Sequence, residues 1–333
     1  MGPKDWHSTR LRHSRRTLGS KEFLDMKFST ALYGVSALAL AACAACAGGP
    51  NLGTAARGVG GWLSPAARFK QLVYISSSTG NTVYIYPKDV APGANPPPIG
   101  EITDGIVTPS GSFVDRYGNL FVANNGNFTV TMYPRGSTKW SLRYTGFAYP
   151  NNVAVSRRGN VYIADFTGDK VVEFPKGSTR SKLTIPIGYP PHGVALDAHD
   201  NVYVSYNTGA HGGGPGTVNE YPPGSTSGKN LNLPIEWAAS DVIDGSGNLL
   251  VCDQSKPAVY VFPPGSSSPS QTITQGLSDP VNLAFDASFK HLYVEDAVVD
   301  GVLVYDYPSG NYVTTLNNGA TGISGIALYR EGN

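Results

Sequence analysis

Residues 152–178, NVAVSRRGNVYIADFTGDKVVEFPKGS, decide how the rest of the chain is read. They hold three short apolar runs: Val153-Ala154-Val155, Val161-Tyr162-Ile163-Ala164 and Val171 to Phe174. Gly159-Asn160 separates the first two, and Thr167-Gly168-Asp169 separates the second from the third. Runs this short, rich in β-branched and aromatic residues and bounded by Gly, Asn and Asp, are strands joined by tight turns. Pro175-Lys176-Gly177-Ser178 then stops the third strand, because proline cannot donate to a ladder.

The same unit recurs along the chain. The element Val-x-x-(Tyr/Phe)-Pro occurs at Val83…Tyr86-Pro87, Val130…Tyr133-Pro134, Val171…Phe174-Pro175, Val218…Tyr221-Pro222, Val259…Phe262-Pro263 and Val304…Tyr307-Pro308, with aromatic spacings of 47, 41, 47, 41 and 45 residues. A strand precedes each copy, beginning at Leu72, Leu120, Val161, Val202, Leu249 and Leu292. A further strand lies about seven residues earlier, as in Val194-Ala195-Leu196 and Leu283-Ala284-Phe285, with looser copies at 112–114 and 241–243. Each unit is three strands followed by a weaker, polar outer segment, and a four-stranded unit at this period is a propeller blade. The reading is all-β: a six-bladed β-propeller with four antiparallel strands per blade, over residues 70–330. The unit at 72–103 lacks an upstream first strand, and Ile326-Ala327-Leu328 lacks a downstream partner. Pairing these N- and C-terminal segments in one blade closes the ring and removes its open edges. The Tyr133-Pro134-Arg135 and Phe174-Pro175-Lys176 turns are expected to form an exposed blade edge.

Composition agrees with many strands and turns: 40 Gly, 25 Pro and 19 Tyr, with only 15% charged residues. Residues 1–42 hold seven Lys/Arg and three Asp/Glu, leaving 18 and 21 for the remainder, a net of −3. A weakly acidic body gives no electrostatic reason to bind nucleic acid. Cys252 is the only cysteine of the body, so no intrachain disulfide forms there, and its place in Leu249–Asp253 reads as a buried, inert thiol.

Residues 28–42 form an apolar run of 15 residues after Lys27. That is short of the about 20 needed to span a membrane and fits a secretory signal. Leu40-Ala41-Ala42-Cys43 resembles a bacterial lipobox, which implies lipidation of Cys43, attachment to a membrane and a place in the bacterial cell envelope. The chain therefore divides into a disordered leader or misassigned start (1–25), a signal peptide with lipobox (26–43), a flexible tether (44–69) and the propeller. A monomer is expected.

Gly159-Asn160-Val161-Tyr162-Ile163-Ala164-Asp165, following Asn152-Val153-Ala154-Val155, resembles the NHL repeat. The wider group includes the gluconolactonase/luciferin-regenerating-enzyme propellers, and the resemblance covers roughly residues 70–329. Starts of first strands and ends of second strands share one face of such a disc. They place Asn152, His192, Asp241, Asn282, Asp165 and Asp253 around the mouth of the central channel, with Ser110, Ser324, Asn124 and Glu295. Asp and Asn at strand ends also cap turns, which is the structural alternative for Asp165 and Asp253.

An oxygen-rich ring suits one divalent cation, Ca²⁺ or Mg²⁺, with His192, Asp241 and Asn152 as its nearest ligands. The gluconolactonase-like enzymes bind one divalent metal, and the resemblance implies Asn-Gly and Pro-Asp-Gly ligands opening first strands, with a Glu. Here Pro150-Asn151-Asn152 matches in part, Pro191-His192-Gly193 carries His in place of Asp, and no Glu opens a first strand. Streptogramin lyases, also propellers, use histidines with a metal; this chain has one candidate His and no repeated Trp-Phe-Thr strand. No Gly-x-Ser-x-Gly elbow, His-Glu-x-x-His or phosphate loop occurs. His199 and His291 fall on the opposite face. The Gly-rich stretch Asn207–Gly216 is expected to project beside His192. The leading reading is a module that binds a small molecule or a protein. The alternative is a metal-dependent lactonase-like hydrolase or lyase.

Overall fold

The computed structural model describes residues 71–328, apart from 89 and 210–212. The leader, signal, Cys43 and tether lie outside the described residues. The strands follow the chain as β1 (Leu72–Ser77), β2 (Thr82–Pro87), β3 (Gly100–Ile102); β4 (Pro109–Val114), β5 (Leu120–Asn124), β6 (Thr129–Tyr133), β7 (Leu142–Tyr144); β8 (Pro150–Val155), β9 (Val161–Asp165), β10 (Lys170–Phe174), β11 (Leu183–Pro186); β12 (Pro191–Leu196), β13 (Val202–Asn207), β14 (Gly216–Tyr221), β15 (Lys229–Asn230). They continue as β16 (Ala238–Ile243), β17 (Leu249–Asp253), β18 (Ala258–Phe262), β19 (Gln271–Ile273); β20 (Pro280–Phe285), β21 (His291–Asp296), β22 (Gly301–Asp306), β23 (Tyr312–Leu316) and β24 (Ile323–Leu328).

These make six antiparallel four-stranded sheets. Five are consecutive in sequence, and the sixth has the order β24-β1-β2-β3. Val73 opposes Leu328 and Ile75 opposes Ile326, so the two ends of the propeller meet in one blade, as the unpaired strands require. The innermost strands β24, β4, β8, β12, β16 and β20 touch in that order around the ring, and β20 touches β24 again.

The hydrophobic core is six layers, one between each pair of neighbouring blades. Strand β1 illustrates why. Leu72 and Tyr74 pack with Val114 and Val122 of the second blade, while Val73 and Ile75 pack with Val302 and Val304 of the sixth. Side chains alternate across a strand, so a blade with neighbours on both faces needs apolar residues at both phases. This is why the strands read as continuous apolar runs. Complete burial of a residue such as Val73 or Ile75 contributes about 1.5–3 kcal/mol.

Two sequence readings change. Tyr133 and Phe174 are buried, at 1% and 3% exposure, and do not form an exposed edge. The Tyr133 hydroxyl donates to the Asp104 carbonyl at 2.6 Å, anchoring the loop before β4. In the sixth blade, Leu292 opposes Tyr305, as Leu249 opposes Phe262 in the fifth. The equivalent signature there is Val302…Tyr305 followed by Asp306, and the Val304…Tyr307-Pro308 match is two residues out of register. Tyr307 instead packs edge-on against Phe285, at 4.8 Å between ring centres, and its hydroxyl donates to Asp244 at 2.6 Å.

The turns between first and second strands share one construction in the second, fourth and fifth blades. Asp115 Oδ1 accepts from the amides of Tyr117 and Asn119, and its Oδ2 from the Asn119 side chain. Asp197 and Asp244 repeat the pattern with Asn201 and Asn248. The residue before the Asn is left-handed: Gly118, Gly159 and Gly247 in three blades, Asp200 in a fourth. The Gly-Asn dipeptide is thus the closing half of an Asx turn.

Candidate functional site

Every inner strand begins with a β-bulge. A bulge inserts one unpaired residue and leaves a carbonyl outside the ladder. Neighbouring blades engage those carbonyls. Ser324 donates to the Pro109 carbonyl at 2.6 Å, Ser110 to that of Asn151 at 2.8 Å, and Asn151 to that of His192 at 2.8 Å. Ser205 donates to the Ala239 carbonyl at 2.6 Å, and Asn282 to that of Ser324 at 3.4 Å. The polar strand starts seen in the sequence form a girdle that ties blade to blade. His192 sits on the bulge of β12 with Phe166 edge-on at 5.0 Å between ring centres.

The third residues of the inner strands are Gly111, Asn152, Gly193, Ser240, Asn282 and Gly325, from the second blade round to the first. The glycines are required by close approach. A Cβ on Gly111 would lie 2.7 Å from the Asn151 carbonyl oxygen, and one on Gly325 would lie 2.1 Å from that of Ser110. Between them the long polar side chains cross the channel. Asn152 Nδ2 donates to Asn282 Oδ1 and to Ser240 Oγ, both at 3.2 Å, linking the third blade to the sixth and fifth. Asn282 Nδ2 donates to Glu295 Oε2 at 2.6 Å. Burial raises the Glu295 carboxyl to about 8, against the pull of the Asn282 bond, and the charge of Asp296 adds to the rise. At neutral pH the group keeps its proton, and the network carries no net charge.

At the fourth position four blades place Val153, Val194, Leu283 and Ile326. The remaining two, which face each other across the ring, place Ser112 and Asp241. Both are buried, and no described residue bonds to Ser112 Oγ or Asp241 Oδ2. Asp241 Oδ1 accepts from Ser205 at 3.1 Å, in space that Gly193 leaves open: a Cβ there would sit 2.3 Å from it. Burial raises this carboxyl to about 8, with the Ser205 bond and its own backbone amide opposing the rise.

These residues wall a cavity of about 540 Å³ along the ring axis. Its deep end is Asn152, Ser240 and Asn282, and it runs to the turns between first and second strands, at Arg116, Arg157 and Asp197. Of the residues expected at the channel, Asn152, Asp241 and Asn282 line it, and His192, Asp165 and Asp253 are not among its walls. The open end lies on the face opposite to the strand starts.

Asp165 and Asp253 hold loops. Asp165 accepts from the amides of Ala148 and Tyr149, Asp253 from those of Glu236, Trp237, Ser255 and Lys256. Asp296 does the same with Ser278, Asp279, Val298 and Val299. The corresponding residues at the ends of β1 and β13 are Ser77 and Asn207, one beyond the Ser76 and Tyr206 at which a four-residue strand would end. Cys252 is fully buried and its thiol is pushed well up by burial and by Glu295. The loop from Asn207 to Gly216 is tied by Thr208 to the Pro215 carbonyl at 3.0 Å; its middle residues lie outside the described ones.

The residues do not fit the divalent ion that the family resemblance implies. Among the described residues no three His, Cys, Asp or Glu side chains converge as metal ligands. Asn152 Oδ1, the atom a cation would need, accepts from the Val153 amide at 2.7 Å, and Asp241 Oδ1 accepts from Ser205 at 3.1 Å. Ser112, the three glycines and Arg157 escaped the sequence reading. Aligning the inner strands at their first residue reveals the first four, since Ser112 and Asp241 then interrupt an apolar column.

No protein-family model matches the chain, and no curated protein matches it in sequence. Solved structures do share its fold. A chain in the crystal structure of a nidogen/laminin complex superposes with a TM-score of 0.65 at 14% identity, covering 78% of this chain and 98% of that one. A protein of unknown function from Bacteroides caccae gives 0.60 at 16% identity, covering 79% and 100%. A streptogramin B lyase structure gives 0.49 at 10% identity over 64% and 70%, a similarity that carries no functional weight. At these identities the likeness is one of fold: a six-bladed β-propeller.

Proposed function

We propose that this chain is an exported, lipid-anchored binding module whose axial cavity receives a small molecule. The observation that carries the reading is the axial cavity, with apolar residues along its wall and the polar side chains of Asn152, Ser240 and Asn282 at its deep end. The cavity of about 540 Å³ lies within the range of small-ligand sites, with apolar walls and a few polar groups at one end. Export and anchoring rest on the short apolar run after Lys27 and on Cys43.

Ser240 lines the cavity and meets Asn152 across the channel, so Ser240→Phe would obstruct it. Ligand-observed NMR of the full chain against a library of small amphipathic molecules should find binders that the obstructed variant loses. A library whose members bind both forms equally, or neither, would sink the reading. For the anchor, Cys43→Ser should move the protein from the membrane fraction to the soluble one.

A further inference from the structure

Charge is unevenly placed on the propeller. Antiparallel pairing puts the turns between first and second strands, and those between third and fourth, on one side of every blade, and the other connections on the opposite side. In the second and third blades the turns on the first side are 115–119, 134–141, 156–160 and 175–182, and they hold eight Lys/Arg against one acid, Asp115. The same turns of the fourth and fifth blades, 197–201, 222–228, 244–248 and 263–270, hold three Asp and no Lys or Arg. All blades share one architecture, so the fold does not impose this cluster.

All eight basic residues are exposed. Lys139 pairs with Asp104 at 3.5 Å, Arg158 with Asp200 at 3.3 Å and Lys182 with Glu173 at 3.1 Å, and Asp115 keeps its charge while it accepts amide bonds. Eight cations against these four anions leave +4, on a body whose net charge is −3. Counted over all six blades, with Asp197 and Asp244 included, this side's turns hold ten Lys/Arg and five Asp among the described residues. The opposite connections hold one Lys and five Asp/Glu, so the basic side is unambiguous.

Arg116 Nη1 donates to the Arg157 carbonyl at 3.4 Å, joining the two blades within the cluster. Lys176 stands over the Tyr117 ring, 4.1 Å from its centre, and Arg116 lies 5.4 Å from the same ring. Tyr117 is 45% exposed and Trp140, in the neighbouring turn, 41%. Tyr and Trp among Lys and Arg are what a surface meeting lipid headgroups carries. The opposite side also exposes Phe128, Tyr189 and Trp237, so the charge selects the face.

The chain joins the propeller on this same side. Leu72 opposes Pro87, so β1 starts beside the β2–β3 turn, and the Lys88 amide donates to the Gln71 carbonyl at 3.1 Å. The first blade adjoins the second, since β24 touches β4. Cys43 stands 28 residues before Gln71, a chain of at most about 100 Å. A lipid at Cys43 keeps the basic turns close to a membrane, where high effective concentration favours even a weak surface interaction.

Resting on the anchoring half of the proposed function, we infer that the propeller lies with the turns of its second and third blades against the membrane that holds its anchor, bound to the anionic phosphates of the lipid headgroups. Each Lys or Arg near an anionic leaflet adds to the attraction, which fades within a Debye length. The end of the axial cavity at Arg116 and Arg157 then opens toward the headgroups.

The test is lysine footprinting of the full chain on vesicles of phosphatidylcholine, or of equimolar phosphatidylglycerol and phosphatidylcholine. A water-soluble reagent acetylates exposed lysines, mass spectrometry reads each site, and flotation reports binding. On the anionic vesicles acetylation of Lys139, Lys176 and Lys182 should slow at least about fivefold relative to phosphatidylcholine, while the exposed Lys256 of the opposite side keeps its rate. About 500 mM NaCl should abolish the difference. The variant Arg116→Gln/Arg157→Gln/Arg180→Gln retains the three reporter lysines and should lose most of their protection while floating with phosphatidylcholine as the wild type does. Equal acetylation on both vesicles, by a protein that floats with both, would overturn the docking and leave the anchor standing. Flotation with the anionic vesicles alone, with the three lysines protected, would keep the docking and overturn the anchor. Flotation with neither overturns both. Slowing of Lys256 to the same degree would mean contact without a preferred face, and protection by a DNA duplex but not by anionic vesicles would reassign the cluster to nucleic acid; either result overturns the inference.

Discussion

Replacing Asp241 by Asn removes an ionisable group from the channel wall while keeping its shape. The native carboxyl titrates near 8, against an ordinary value of 3.8. Below about pH 4 folded and unfolded chains both hold the proton, and the group costs nothing. Between about pH 4 and 8 the unfolded chain releases the proton and the folded one keeps it, so stability falls by about 1.4 kcal/mol per pH unit. At pH 7 the accumulated penalty is about 4 kcal/mol. Asparagine carries no such penalty, and its Oδ1 can still accept the Ser205 hydroxyl now 3.1 Å from the acid. A domain of this size gains about 2–4 °C per kcal/mol, so the variant should melt about 10 °C higher than the wild type at pH 7. The advantage should shrink to a few degrees at pH 4. Thermal unfolding by circular dichroism from pH 4 to 8 measures it, with Glu295 supplying a parallel slope to both proteins. A variant whose melting temperature follows the same pH slope as the wild type would refute the argument that Asp241 is buried as the neutral acid.

Three further outcomes follow from the same contacts. Gly193→Ala puts a Cβ 2.3 Å from Asp241 Oδ1 and 2.5 Å from Ser205 Oγ, and overpacking of this kind should cost about 1–3 kcal/mol in denaturant titration; an unchanged midpoint would mean that the inner strand yields freely. Asp253→Ala strips the acceptor from four loop amides and should destabilise by about 3 kcal/mol or more, whereas the exposed Arg180→Ala should stay within about 0.5 kcal/mol. Asp286 sits near 2, because bonds from His291 and Lys88 outweigh the effect of its burial. Its contribution, about 2–3 kcal/mol, is present above pH 4 and lost as the pH falls through about 2, so Asp286→Asn should flatten acid unfolding in that window alone.

The blades were legible because each repeats the same local chemistry: apolar runs, Gly-Asn turns, and a buried aromatic facing the start of the second strand. Period and count survive even where one copy is misread, as at Tyr307, because Tyr305 lies two residues away and shows the same face of the strand. The site was harder to see. Its polar residues were found, since Asn152, Asp241 and Asn282 stand at strand starts. Their purposes separate only in three dimensions, where bulges turn some side chains toward the next blade and others toward the axis. Asp165 and Asp253 illustrate the limit. A carboxylate at a strand end has the same sequence signature whether it faces a ligand or gathers loop amides.

The pairing of β1 with β24 has a mechanical consequence. The strands are antiparallel, with Val73 opposite Leu328, so the chain enters and leaves the propeller side by side at one end of that seam. A pull on the two ends therefore peels the pair apart rung by rung, each hydrogen bond bearing the load in turn, instead of shearing all of them at once. The other five blades are continuous chain and have no such line of weakness. Force delivered through the segment before Leu72 reaches the seam first, and the ring opens there while the remaining blades are still intact.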